Sequence, residues 1–205
     1  MATIRVTGRA QVSVPPDEAT LTLRVEAVAA TPTEALAEVA ERARTLFALL
    51  DELDVPLAKR STRGVSVAEA GEHDPQGRWQ HRGYRALEQL SVTVGDAETV
   101  GTLLGEAVAR ARAHVEGPFW TVAAGNPARN EALRLAAEDA RRRAEAAAEG
   151  LGVRLGALVE AVEGEAAHPI PRTFGPLAVA DGPPIEAGEA TIASAVTATF
   201  QVEAE

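Results

Sequence analysis

Four stretches of this chain alternate apolar and polar residues with a period of two, and that alternation restricts the fold more than any other feature of the sequence. Leu21, Leu23, Val25 and Ala27 interleave with Thr20, Thr22, Arg24 and Glu26. Ile4 and Val6 interleave with Arg5 and Thr7, and Leu90, Val92 and Val94 with Ser91 and Thr93. Late in the chain Ile192, Val196, Phe200 and Val202 stand against Thr191, Thr197 and Gln201. A strand of this kind has one dry face and one wet face. The strands of a doubly wound parallel sheet are covered on both sides and read as unbroken apolar runs, so the alternation argues against that fold.

Three helices with readable ends lie between the strands. Thr31-Pro32-Thr33-Glu34 has the spacing of a capping box, with proline at the first helical position, where its missing N–H costs nothing. Leu36, Val39, Ala43, Leu46, Phe47, Leu50 and Leu53 follow as one apolar stripe, which ends before Pro56. Asp96 is placed to cap a second helix, with Val100, Leu103, Leu104, Ala107, Val108 and Ala111 on its inner face. Asn126-Pro127 opens the third and Gly150 closes it. Its inner positions Ala132, Ala136, Ala140, Ala144, Ala147 and Ala148 are small, so its backbone can approach a neighbour closely.

Residues 17–70 and 84–124 each read as a strand-helix-strand unit, and right-handed crossovers would lay both helices on one side of a shared sheet. The expected fold is α+β, a two-layer sandwich of mainly antiparallel sheet with about three helices packed on one face. It is read as a single domain over residues 1–205, with 126–150 as an alanine-rich helix. Residues 71–83 read as a hairpin tip between two long strands, and 165–188 as a long loop rich in proline and glycine. Both are better places for function than the core.

Composition removes several functional classes. At 205 residues the chain can bury roughly 70% of its unfolded surface without a staple. It has no cysteine, which excludes thiolate metal sites, iron–sulfur clusters and cysteine nucleophiles. A formal net charge of -10 argues against sequence-independent binding of nucleic acid, which needs a basic surface. Arg141-Arg142-Arg143 is the densest basic run, but Glu138, Asp139, Glu145 and Glu149 flank it and supply helical ion pairs. No apolar run is long enough to span a bilayer, and Met1-Ala2-Thr3 leads straight into a strand without a signal core. The expected location is the cytoplasm, or the periplasm if a signal peptide has been removed.

A search for chemistry yields little. His73, His81, His114 and His168 form no i, i+4 ligand pair, and only His73, Asp74 and His81 share one loop. The glycines of Gly150-Leu151-Gly152-Val153-Arg154-Leu155-Gly156 follow a helix, where a dinucleotide fingerprint should open one, and read as a helix cap. Glu69 with Glu72, and Glu163 with Glu165, are carboxylate pairs with no positioned partner. No catalytic, cofactor-binding or metal-ligating residue is assigned. Trp79 and Tyr84, which bracket the hairpin tip, are the candidate interface residues, since large aromatics beside a loop often anchor a protein contact.

Several short pieces in fixed order resemble the SIMPL-domain family. They are Ile4-x-Val6-x-Gly8, Pro16-Asp17, Gly83-Tyr84-Arg85-Ala86 with Leu90-x-Val92-x-Val94, then Ala136, Asp139-Ala140-Arg141 and Ala144, and finally Pro184-Ile185-x-x-Gly188-Glu189. The resemblance implies mostly bacterial relatives, often exported antigens of the periplasm or outer membrane, some of which assemble into rings. It implies roles proposed in oxidative-stress tolerance and brings no catalytic residues with it. The expected function is a non-catalytic, self-associating interaction protein, a homo-oligomer with no cofactor, no nucleic acid and no membrane span. A binding module for a small ligand or metal using 71–83 and 165–188 is the first alternative. A hydrolase with an unrecognised carboxylate site is the second.

Overall fold

A computed structural model of the chain describes residues 2–164, 170–172 and 187–204. In chain order the elements are β1 (Thr3–Val14), β2 (Glu18–Ala29), α1 (Pro32–Glu52), β3 (Arg60–His73), β4 (Trp79–Val94), α2 (Ala97–Ala111), β5 (His114–Thr121), α3 (Pro127–Gly150), β6 (Val153–Gly164), β7 (Ile170–Arg172) and β8 (Glu189–Ala204). The fold is α+β, with the strands in two antiparallel sheets. Residues 18–120 form one compact unit, and the described residues of 2–17, 121–172 and 187–204 form another. The three expected helices are present, two packed on one sheet and one on the other.

The unit of residues 18–120 runs β2-α1-β3-β4-α2-β5, and its sheet has the order β3-β4-β2-β5. β4 is antiparallel to both neighbours, in register from Ala19↔Val94 to Ala29↔Tyr84 with β2 and from Arg60↔Val92 to His73↔Trp79 with β3. The two strand-helix-strand segments therefore interleave in one sheet, and both helices bury their stripes against its dry face. Leu21, Leu23 and Val25 of that face are fully buried with Val39, Leu46 and Leu103 of the helices. Each such side chain contributes about 1.5–3 kcal/mol by leaving water.

The local signals at the helix ends are realised. The Thr31 hydroxyl accepts from the N–H of Glu34 at 3.2 Å, and the Glu34 carboxylate accepts from the N–H of Thr31 at 3.2 Å. Asp96 accepts from the N–H of Thr99 at 2.7 Å, which caps α2. The stripe of α1 is rotated from the expected one: Ala35 and Leu49 are buried, while Leu36 is 42% exposed. Leu36 draws attention by its bulk, but the face is set by Val39, Ala43, Leu46 and Leu50, with which Ala35 is in phase.

In the other unit β8 lies at the centre of its sheet, paired with β1 from Thr3↔Gln201 to Val14↔Ala190 and with β6 on its other side. α3 covers this sheet with Ala132, Ala136, Ala140, Ala144 and Ala148, all buried. The small residues serve a close approach. A Cβ added to Gly8 of β1 would lie 2.1 Å from the Ala140 nitrogen and 2.2 Å from the Ala136 oxygen. Glycine in the strand and alanine on the helix are two halves of one contact.

Candidate functional site

The hairpin joining β3 and β4 outgrows its sheet. β2 ends at Ala29 opposite Tyr84, so residues 71–82 continue as a two-stranded ribbon beyond it, exposed or half-buried throughout. The turn is narrower than the expected 71–83 tip, occupying only Asp74 to Arg78. Asp74 builds it: one carboxylate oxygen accepts from the N–H groups of Gln76 at 3.0 Å and Arg78 at 2.9 Å, and the other from Nε of Arg78 at 2.9 Å. The Arg78 N–H leads the interactions that hold this carboxyl below its ordinary pKa. An anion engaged in this way organises a turn and has little capacity left for a metal.

The aromatic side chains sit along the ribbon. Trp79 is 50% exposed; its ring lies against the backbone of Gly71 and meets the His73 ring edge-on at 5.1 Å. His81 meets Tyr84 edge-on at 5.2 Å, and Tyr84 is partly buried against the core of residues 18–120. His73, Asp74 and His81 do not converge, and the described residues hold no cluster of three potential metal ligands. Glu72 is paired with Arg82 at 2.6 Å. His168, Glu165 and most of the 165–188 loop lie outside the described residues, which include of it only 170–172, the strand β7, and 187–188.

A second feature escaped the sequence. Thr22, Arg24, Gln89, His114, Val115 and Glu116 line an open depression of about 260 Å³ on the sheet of residues 18–120. Its floor is the wet face of β2, where Thr20 and Thr93 hydroxyls approach to 3.3 Å and Arg24 pairs with Glu26 at 3.5 Å. A lone histidine in β5 carried no motif to single it out.

A third feature is a polar node around Asp17. Its carboxylate accepts from the N–H of Ala123 at 2.6 Å and the amide of Asn126 at 2.8 Å, while its own N–H donates to the Thr121 carbonyl at 3.2 Å. Asn126 in turn caps α3, and the Arg129 guanidinium donates to the carbonyls of Val122 and Ala123 at 2.8 and 2.9 Å. One carboxylate thus fixes the start of the helix that packs on Gly8. Burial raises the Asp17 pKa, but hydrogen bonds from Ala123, Asn126 and its own N–H, with the charge of Arg129, outweigh it and leave a net lowering.

A depressed carboxylate pKa gives stability that is complete above the unfolded value, about 3.9, and is lost as pH falls through the folded value. Asp17→Asn keeps the shape but turns an amide donor toward the Asn126 donor, and it should cost about 1–3 kcal/mol near neutral pH. Urea melts of both proteins across pH 3 to 7 test this. The gap between them should close in acid, and a gap independent of pH would rule out the ionised Asp17 as its source.

The family model for SIMPL, described as a protein of unknown function (DUF541), matches residues 4–200. The chain belongs to the SIMPL family. An uncharacterized protein, YggE of Edwardsiella ictaluri (strain 93-146), is 30% identical to it over 149 residues, 73% of this chain and 62% of that protein. The chain therefore spans less than two thirds of the length of the curated relative it matches. In this SIMPL protein three of the residues that carried the resemblance lie at close contacts, Gly8 under α3, Asp17 in the polar node and Gly83 at the root of the ribbon, while Pro184 and Ile185 lie outside the described residues. No helix among the described residues is long and apolar enough to cross a membrane.

Proposed function

We propose that this SIMPL protein is a non-catalytic, self-associating interaction protein whose contact surface includes the β3–β4 ribbon. The observation that carries the reading is the exposure of β3: every residue from Ser61 to Glu69 is exposed, and the strand then runs into a projecting two-stranded arm. A two-stranded ribbon gains little from its own burial, and an outermost strand presents a free row of backbone donors and acceptors. Both features are satisfied by protein contact. The half-exposed Trp79 adds a large apolar surface near the tip.

Light scattering on Trp79→Ala and on the Trp79→Ala/Tyr84→Ala pair tests the ribbon. Both should lower the solution mass, and the single change is the cleaner test because Tyr84 also packs on its own core. An unchanged mass in both would remove the aromatic residues from the interface. A second reading, a binding module for a small polar ligand, draws on the Thr22–Arg24–Gln89–His114–Glu116 depression. It ranks lower because the depression is open and its volume is under the roughly 300 Å³ at which ordinary ligand pockets begin.

A further inference from the structure

The geometry points to a specific partner for the free edge of β3: the same strand of a second copy, antiparallel, about a two-fold axis at Ser66. This rests on the self-association reading above and adds to it a surface, a register and a symmetry.

The sequence of β3 is electrically two-sided, with Arg63 on one side of Ser66 and Glu69 on the other. Neither has an ion-pair partner among the described residues; Arg60 and Glu72, further out, are already paired with Asp51 and Arg82. Antiparallel pairing about Ser66 brings Arg63, which sits at the register shift between Thr62 and Gly64, beside Glu69 of the second copy, twice by symmetry. It also sets Val65 opposite Val67, again twice. Val65 and Val67 are 53% and 40% exposed, large for a strand whose neighbour is a core strand. They share a face with the buried Ala86, which pairs with Val67, so they lie on the helix-bearing side of the sheet. Residues opposite each other in an antiparallel pair share a face, so the four valines would form one apolar patch. The register of β3 with β4 is unbroken from Gly64 to Ala70, which leaves a regular stretch to pair. The result is a continuous eight-stranded sheet built from the two four-stranded ones, closed by the isologous contact expected of a dimer.

The other outer strands are poorer candidates. β1 carries Arg5 and Arg9 and no acid, so pairing with itself opposes like charges. The regular part of β6, from Glu160 to Gly164, carries Glu160 and Glu163 and no base. β5 contains Pro118, which has no N–H to give.

The chain has no cysteine, so a single introduced one reports alone. Ser66→Cys should form a disulfide-linked dimer under mild oxidation. Ala68→Cys, on the same face, should not, because its symmetry mate would lie roughly 13 Å away along the strand. Arg63→Glu and Glu69→Arg should each weaken dimerisation about tenfold or more, and the double exchange should restore it. If the native chain associates but Ser66→Cys links no better than Ala68→Cys and the reversals leave its mass unchanged, β3 pairing is wrong while self-association stands. If the native chain is a single copy at every concentration, the self-association reading fails and the pairing with it.

Discussion

Replacing Gly8 with alanine should destabilise the layer of β1, β8 and α3 by more than about 3 kcal/mol, beyond the usual 1–3 kcal/mol of an overpacked core. The reason is what the new methyl would meet. Its Cβ would lie 2.1 Å from the Ala140 nitrogen, 2.2 Å from the Ala136 oxygen and 2.7 Å from the Ala140 Cα, all backbone atoms that no rotamer change can move. The helix itself would have to lift, opening contacts along the whole alanine stripe. Against a total stability of about 5–15 kcal/mol for an ordinary domain, that is a large fraction. Urea denaturation followed by circular dichroism measures it. A melt within ~1 kcal/mol of the native chain would mean that α3 does not rest on β1 at this point.

Gly83→Ala should be nearly as damaging for two independent reasons. Gly83 has φ +125, a backbone conformation that side chains rarely adopt, and holding alanine there costs about 1–3 kcal/mol. The added Cβ would also lie 2.4 Å from the carbonyl oxygen of Ala29, the last residue of β2. Relief would require the ribbon to swing away from the end of β2, so stability and association should fall together. Gly64→Ala is the matched control in the same hairpin, since its Cβ would meet nothing within 4 Å. It should be neutral, or stabilise by about 0.4–1 kcal/mol through the unfolded chain. Equal losses at both positions would show that backbone entropy, and not the Gly83 geometry, is responsible.

The parts of the fold that were legible in the sequence are those set by near neighbours. The Thr31–Glu34 box, the Asp96 and Asn126 caps and the alternation in β2 and β4 are local codes, and each appears where it was read. The division of the strands between two sheets was not local. β1 pairs with β8 across nearly the whole chain, Thr3 opposite Gln201, and no short window of sequence records that. Gly8 likewise looked like any strand glycine, because its constraint comes from a helix more than a hundred residues away.

The candidate surface was half legible. Trp79 and Tyr84 marked the hairpin, but the sequence could not show that Trp79 covers Gly71 or that Tyr84 rests on its own core. Nor could it show that β3 is outermost. Val65 and Val67 alternate with Ser66 and Ala68 as any half-buried strand would, and only the sheet order reveals that their side remains open.

Sedimentation velocity on the unaltered chain over a dilution series tests the central claim most directly. A self-associating protein should sediment at a whole-number multiple of 21.4 kDa and dissociate toward that value only on dilution. A constant 21.4 kDa at every concentration would contradict the account, leaving β3 and its ribbon without the partner assigned to them.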